Sequence, residues 1–352
     1  MNSQLEALIA RIQPLDAEAQ RAAQERQNRL TKPQGSLGRL ETLATQIAGI
    51  TGKTLPTIAH KSIVIMAGDH GVVAEGVSAY PQEATPQMVR NFMQGGAAIN
   101  VLARHVGARV VVVDMGVAAE LAQPGLLQRK VAPGTNNIAR GAAMTREQAL
   151  QAILVGAQVV EEQMAHGLDI VGTGDMGIGN TTPSAAICAT FTGQSPADIC
   201  GRGTGVDDAG LARKVDAVCR ALEVNRPDPR DALGVLSLVG GLEIGGLAGI
   251  VLGTAANRRP AVVDGFISTA AAMIAVGLAP QVRPYIIAAH RSQERGHRLM
   301  LEWLGIEPLL DLDMHLGEGT GAALAFSLAE AACKVLAEMA TFDEAGVAEK
   351  EG

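Results

Sequence analysis

Aromatic side chains are scarce: the 352 residues include five Phe, two Tyr and one Trp. A base-stacking surface for single-stranded nucleic acid is therefore not expected. Any flat ligand would be held mainly by aliphatic and Met side chains. Basic charge is not in excess. Lys and Arg number 29 against 36 Asp and Glu, a formal charge of −7. That leaves no electrostatic footprint for nucleic acid or an anionic membrane. The four cysteines, Cys188, Cys200, Cys219 and Cys333, form no CxxC pair, and none sits at finger spacing from a His. Neither a disulfide framework nor structural zinc is expected; buried thiols in a reducing cytoplasm are. The opening MNSQLEALIARIQPLDAEAQ carries charge early and lacks an apolar core, so it does not read as a signal peptide. HExxH and facial-triad spacings are missing, and no Gly-rich loop ends in the Lys-Ser/Thr of a Walker motif.

What is present is a globular composition, 47% hydrophobic and 18% charged, enough for a buried core. At roughly 150 residues per domain, the length suits one large domain or two smaller ones. One apolar stretch, 235–256, is long enough to raise the question of a membrane span. Glu243 and six glycines interrupt it, so two close-packed soluble helices are expected instead.

From residue 61 onward, short apolar runs recur: 62–67 (SIVIMA), 109–113 (RVVVV), 168–172 (LDIVG), 261–263 (AVV), 285–289 (YIIAA) and 309–314 (LLDLDM). Ala-rich stretches with helical patterning lie at 85–104, 145–166, 207–222, 266–278 and 319–340. A polar helical stretch occupies 3–29, interrupted at Pro14, and a further helix is expected to be capped near Ser36. Continuous apolar strands alternating with helices predict a parallel, doubly wound α/β sheet of about six strands, covered on both faces. The acidic tail 341–352 is expected to fray. Asp69, His70, Asp114, Asp175, Asp264, His290, Ser292, His315 and Glu318 all follow a predicted strand end, the edge where open α/β sheets bind ligands. Any one Asp there is explained by turn or cap formation; the conjunction of six such ends is harder to explain that way.

Two glycine clusters, 172–182 (GTGDMGIGNTT) and 201–205 (GRGTG), precede predicted helices and suit a phosphate cradle. Residues 172–177 also fit GxGxxG, but no acidic ribose reader follows about twenty residues later, which weakens a dinucleotide reading. Lys214, one helix further on, either neutralises a phosphate or is a solvated helix lysine. Glu318, between Gly317 and Gly319, is either a general base or an acid opening the last helix. His70, His290 and His315 read as structural or hydrogen-bonding histidines rather than metal ligands. The loop 78–87 (SAYPQEATPQ) either covers a ligand or packs on the surface. From the residues alone, a phosphate-binding enzyme, a non-catalytic mononucleotide sensor and an NAD-dependent oxidoreductase remain open.

The strings KPQGSLGRLE, AGDHGV, GNTTPSAA, GTAANRRPAVVDGFIS, AAHRSQERG and HLGEGTGAALA closely resemble the nicotinate-nucleotide–dimethylbenzimidazole phosphoribosyltransferase family, in the same order from about residue 30 to 335. The resemblance implies a cytoplasmic homodimer of cobalamin biosynthesis. Its reaction moves phosphoribosyl from nicotinate mononucleotide to dimethylbenzimidazole, giving alpha-ribazole 5′-phosphate and nicotinate by single displacement with inversion. It also implies a Rossmann-like large domain, 31–315, and a small helical domain from both chain ends, 1–30 and 316–352. Carried over by motif, Glu318 is the catalytic base. Asp175, Met176, Gly177, Gly203, Lys214 and Ser292 bind the ribosyl phosphate and nicotinate; Tyr80, Gln87 and Leu316 bind the benzimidazole. No cofactor or metal is implied. The family often has Glu where this chain has Asp175, a shorter carboxylate.

Overall fold

The computed structural model describes residues 3–203 and 205–348. Six strands form one sheet: β1 Lys61–Gly68, β2 Ala108–Gly116, β3 Leu127–Gln128, β4 Ile170–Met176, β5 Ala261–Val263 and β6 Ile286–Ala288. Their order is β3-β2-β1-β4-β5-β6 and every pairing is parallel. The chain steps outward from β1 in one direction and then from β4 in the other. The switch point, where a crevice opens beyond the carboxyl ends, therefore lies between β1 and β4.

Both sheet faces are covered, which is why the strands are apolar without alternation. Ile63, Ile65 and Ala67 face a layer containing Phe326, Ala322 and Ala329 of the Thr320–Glu338 helix. Val64 and Met66 face the layer of the Arg146–Ala165, Leu242–Ala256 and Phe266–Leu278 helices. Within that second layer, two helices touch backbone to backbone. A Cβ at Gly156 would lie 1.9 Å from the Gly246 carbonyl oxygen, and one at Gly249 would lie 1.9 Å from the Ile153 oxygen. The single indole, Trp303 on the Arg295–Leu304 helix, packs on Phe191 with ring centroids 5.1 Å apart.

Five of the six expected strands form. The sixth does not become a strand: 309–314 makes one isolated parallel bridge, Leu310 with His290, and backbone bonds along the chain that leaves β6, among them Leu309 N to Ala288 O, Leu310 N to Ala289 O and Arg291 N to Leu310 O. Its alternating acids, Asp311 and Asp313, are exposed, and a buried parallel strand cannot place them. The sixth strand is instead the two-residue β3 at the opposite edge. The expected helix 85–104 is two helices, Ala84–Gln94 and Ala98–Val106, because Gly95 adopts φ +80° and ends the first. The helix expected to be capped at Ser36 starts one turn later, as Arg39–Thr51. The apolar stretch at 235–256 breaks at Gly240–Gly241 into Ala232–Val239 and Leu242–Ala256, as expected of soluble core helices. Among the described residues, the Thr320–Glu338 helix alone has the length and composition to cross a membrane; it lies on the sheet. The chain ends meet there: Leu30 bridges Thr341, and Arg26 donates to the carbonyls of Leu336 and Ala337. Of the acidic tail, Phe342–Ala345 forms a capped turn of helix, and residues 349–352 lie outside the described residues.

Candidate active site at the carboxyl rim of the sheet

The strand ends converge as the pattern predicts. Asp69 and His70 follow β1, Asp175 ends β4, Asp264 follows β5, and His290 and Ser292 follow β6. All six are buried. A cleft of about 950 Å³ is lined by segments next to them in the chain, including Tyr80, Gly203, Glu294, Leu312, Leu316 and Thr320; the six buried residues and Glu318 lie behind this lining and not in it. That volume suits a small-molecule ligand pair. Tyr80 and Leu316 are exposed in it, 56% and 58%. With Leu312, also exposed, they give the cleft three large apolar side chains open to solvent.

Glu318 stands at the rim with 6% exposure. It is the one non-glycine in a run of three left-handed residues: Gly317 φ +82°, Glu318 φ +62°, Gly319 φ +89°. Holding a glutamate there costs about 1–3 kcal/mol, a strain that persists only where the surroundings impose it. Gly174 imposes part of it, since a Cβ on Gly174 would lie 2.5 Å from the Glu318 carbonyl oxygen. The Glu318 carboxylate accepts one weak bond, from the Ile99 N–H at 3.4 Å. Burial raises its pKa above the usual glutamate value; the Ile99 N–H opposes this and the Asp264 charge adds to it.

Asp175 lies beside the same turn, its Oδ1 3.2 Å from where a Gly317 Cβ would be. Asn180 donates to its other oxygen at 2.9 Å. Burial, and then the charge of Asp264, push the Asp175 carboxyl up to about 8, so it carries a proton at neutral pH. Gly177 follows one residue after the half-buried Met176. A Cβ there would meet the Gly68 oxygen at 2.3 Å and His70 Nε2 at 3.2 Å, so only glycine lets β4 leave the sheet along this path.

A second group forms around Glu294. Its Oε1 accepts the Gly203 N–H at 2.8 Å, and its own N–H donates to Ser292 Oγ at 3.3 Å. Lys214 is buried, with Nζ donating to the Gly201 oxygen at 3.2 Å. Burial lowers its pKa and the Glu294 charge opposes that. The structure thus brings Gly203, Lys214 and Ser292 together; Thr204, within the same glycine cluster, lies outside the described residues. A buried ammonium with one carbonyl partner has donors to spare for an anion. The solvated-lysine reading of Lys214 does not hold. Of the expected site residues, Tyr80, Gly203 and Leu316 line the cleft; Glu318, Asp175, Met176, Gly177, Lys214 and Ser292 do not, and Gln87 is exposed on the Ala84–Gln94 helix outside it.

The glycine cluster at 172–182 differs from its expected form. Gly172 and Gly174 are inside β4, where they make room for Ala322, Phe326 and the Glu318 backbone. They are packing glycines, so the GxGxxG match is not a phosphate loop; only Gly177 and Gly179 lie beyond the strand.

Sequence reasoning missed two acids. Glu294 carries one signal, its place two residues after Ser292. Glu243 carries a better one, as the lone charge within an apolar stretch. It starts the Leu242–Ala256 helix and its Oε1 pairs with His70 Nε2 at 2.7 Å. Burial works against a charged His70, but the Glu243 carboxylate, with Asp69 behind it, holds its pKa above the ordinary histidine value. His297 is the opposite case: burial and then His290 push it down to about 3. Neutral, it accepts the Ser292 N–H at 2.8 Å and bonds Thr269 Oγ1 at 2.9 Å. Among the described residues, no three His, Cys, Asp or Glu side chains come together as a metal-ligand set.

Comparison with known proteins bears on what such a rim does. A family model described as phosphoribosyltransferase matches residues 12–347. A nicotinate-nucleotide–dimethylbenzimidazole phosphoribosyltransferase of Roseiflexus sp. (strain RS-1) is 60% identical over 349 residues, 99% of each chain. Its namesake in Chloroflexus aggregans (strain MD-66 / DSM 9485) is 58% identical over 350 residues, also 99% of each. The crystal structure of the enzyme of that name from Thermus thermophilus superimposes with a TM-score of 0.91 at 48% identity. The match covers 96% of this chain and all of the other.

Proposed function

Because the chain belongs to the nicotinate-nucleotide–dimethylbenzimidazole phosphoribosyltransferase family, we propose that Glu318 is the general base of a phosphoribosyl transfer between those two substrates. The enzyme is a phosphoribosyltransferase acting on small molecules. The observation that carries the assignment of the base is a buried, under-bonded carboxylate held in a strained turn beside the cleft.

The chemistry follows from the substrates. In nicotinate mononucleotide the pyridine nitrogen is cationic, so nicotinate departs with its ring nitrogen neutral and needs no general acid. One nitrogen of dimethylbenzimidazole attacks the anomeric carbon from the opposite face, inverting it to the alpha linkage. As that C–N bond forms, the other ring nitrogen's N–H becomes strongly acidic. Glu318 accepts that proton, and its raised pKa makes it a better acceptor than an exposed glutamate. Asp175 is protonated in the empty site; the pyridinium charge favours its ionisation, so it faces the positive charge that develops on the ribosyl ring. Lys214, the Gly203 loop and Ser292 anchor the 5′-phosphate, with Met176 and Gly177 beside the nicotinate. Tyr80 and Leu316 flank the benzimidazole across the cleft. Gln87, on the outer face of its helix, approaches the base only if the 78–87 loop closes. Holding two flat rings on opposite faces of one sugar is mainly positioning work.

The reaction is proposed to run in the cytoplasm in a homodimer. The helical unit 1–30 with 316–352 and the sheet unit 31–315 are proposed to act as one body, because the Thr320–Glu338 helix that follows Glu318 is itself a covering layer of the sheet.

The reading is tested by following nicotinate release with and without dimethylbenzimidazole. Release that requires the azole, with alpha-ribazole phosphate appearing in equal amount, is the expected result. Binding of the nucleotide with no release in either case would sink it. Replacing Lys214 with Met is expected to raise KM for the nucleotide by about tenfold or more, the loss of one charged hydrogen bond. The change in KM for dimethylbenzimidazole should be much smaller. Equal effects on both constants would detach Lys214 from the phosphate.

A further inference from the structure

Asp264 is buried at the carboxyl end of β5, and no step above uses it. Its two oxygens accept two backbone N–H groups, Gly319 at 3.2 Å and Ala322 at 2.9 Å. The first belongs to the residue directly after Glu318; the second lies in the opening turn of the Thr320–Glu338 helix. One carboxylate therefore ties the left-handed turn to the helix that follows it. Asp264 is itself fixed. Its N–H donates to Thr173 Oγ1 at 3.2 Å, and the His290 ring lies 3.7 Å from Oδ1. Neither ring nitrogen of that buried histidine makes a hydrogen bond. The histidine is wedged in place, since a Cβ on Gly321 would fall 2.0 Å from its Cδ2.

A left-handed glutamate between two left-handed glycines does not hold its own shape. The restraints on it include the Gly174 backbone, the weak Ile99 N–H, Thr320, whose N–H and Oγ1 both donate to the Gly317 oxygen at 3.1 and 2.8 Å, and the Asp264 carboxylate. Of these, Asp264 alone reaches in from another strand end to bond both the turn, at Gly319, and the helix after it, at Ala322. A carboxylate suits the task and an amide does not: Asn offers one acceptor to two donors and turns an NH₂ toward the other.

We propose that Asp264 is a positioning residue for the transfer reaction, clamping the Gly317–Gly319 turn so that the Glu318 carboxylate faces the incoming azole. The inference rests on the reading of Glu318 as the base. The clamp has an electrostatic side too. The titratable groups that face Glu318 are Asp264 from the β5 end and Asp175, which burial holds in its neutral form, from the β4 end; of the two, the Asp264 charge raises the proton affinity of Glu318.

The test compares Asp264→Asn, Asp264→Glu and Glu318→Gln by kcat, KM and the pH profile of kcat, with thermal melting as the check on folding. Asp264→Asn is expected to leave KM for the nucleotide within roughly threefold and to cut kcat by at least about tenfold. Its acid limb should move to lower pH, because a negative neighbour of the base is gone. Asp264→Glu keeps the charge but shifts both acceptors by a methylene. It should lose kcat with the acid limb in place, a split that a merely structural residue would not produce. A folded Asn variant with near-normal kcat, or with lowered kcat and an unmoved limb, overturns the inference. So does failure of both variants to fold, which would make the residue part of the core alone. Normal turnover in Glu318→Gln would instead sink the base reading itself. A slow Gln variant beside a normal Asn variant sinks only the clamp.

Discussion

Glu318→Gln is expected to lower kcat at least a hundredfold while leaving KM for both substrates nearly unchanged. The amide matches the carboxylate in shape and still offers an oxygen to the Ile99 N–H, so the turn has no reason to move. What it lacks is the capacity to accept a proton. A positioned base contributes roughly 10²–10⁴-fold, and a hundredfold loss corresponds to about 2.7 kcal/mol of transition-state stabilisation. Folding stability should not fall, because the variant replaces a carboxylate whose burial already disfavours its charge. The pH profile supplies the sign. Glu318 works deprotonated, so the wild-type rate should fall as pH drops through its folded pKa. Burial raises that pKa, so the fall should begin above the range of an exposed glutamate. In the Gln variant this limb should vanish. Steady-state kinetics that show an intact limb in the variant would assign the titration to another group and remove Glu318 from its role.

Gly156→Ala is expected to destabilise the fold by about 3 kcal/mol, read as a lower denaturant midpoint at constant m-value. In an ordinary exposed helix, the same change gains about 1 kcal/mol, since alanine is the better helix former. Here the new Cβ would lie 1.9 Å from the Gly246 oxygen, 2.8 Å from its carbonyl carbon and 3.0 Å from Gly249 Cα. All three are backbone atoms, which cannot rotate aside. The Leu242–Ala256 helix would have to lift off its neighbour. It also carries Glu243, so the His70 pair beneath the β4 turn would shift with it. Gly141→Ala is the control: nothing lies within 4 Å of a Cβ there, and its effect should stay within about 0.5 kcal/mol. Equal stability of the two variants would mean that the helix crossing is looser than described.

The sheet is legible where burial on both faces leaves a run of apolar residues, as in 62–67 and 109–113. It is illegible at β3, because two residues at an edge make no run. At 309–314 hydrophobicity misleads: Leu309, Leu310 and Leu312 suggest a strand, but Asp311 and Asp313 alternate with them and stay exposed to solvent. The rim acids are visible as polar residues after strand ends. Their partners are not, since hydrogen bonding between Glu294 and Gly203, or between Asp264 and Gly319, joins segments dozens of residues apart. The glycines of 172–177 show the same ambiguity from the other side. A glycine that cradles a ligand and one that admits a neighbouring helix leave the same letter in a sequence.

The position of Trp303 against Phe191 has a practical corollary for spectroscopy. Excited at the red edge, the protein emits from this indole alone, and the indole is absent from the walls of the cleft. Its emission will track the separation of two helices during unfolding and stay largely silent while substrates load. A Leu312→Trp reporter at the cleft mouth, in a Trp303→Phe background, would give the site a fluorophore of its own.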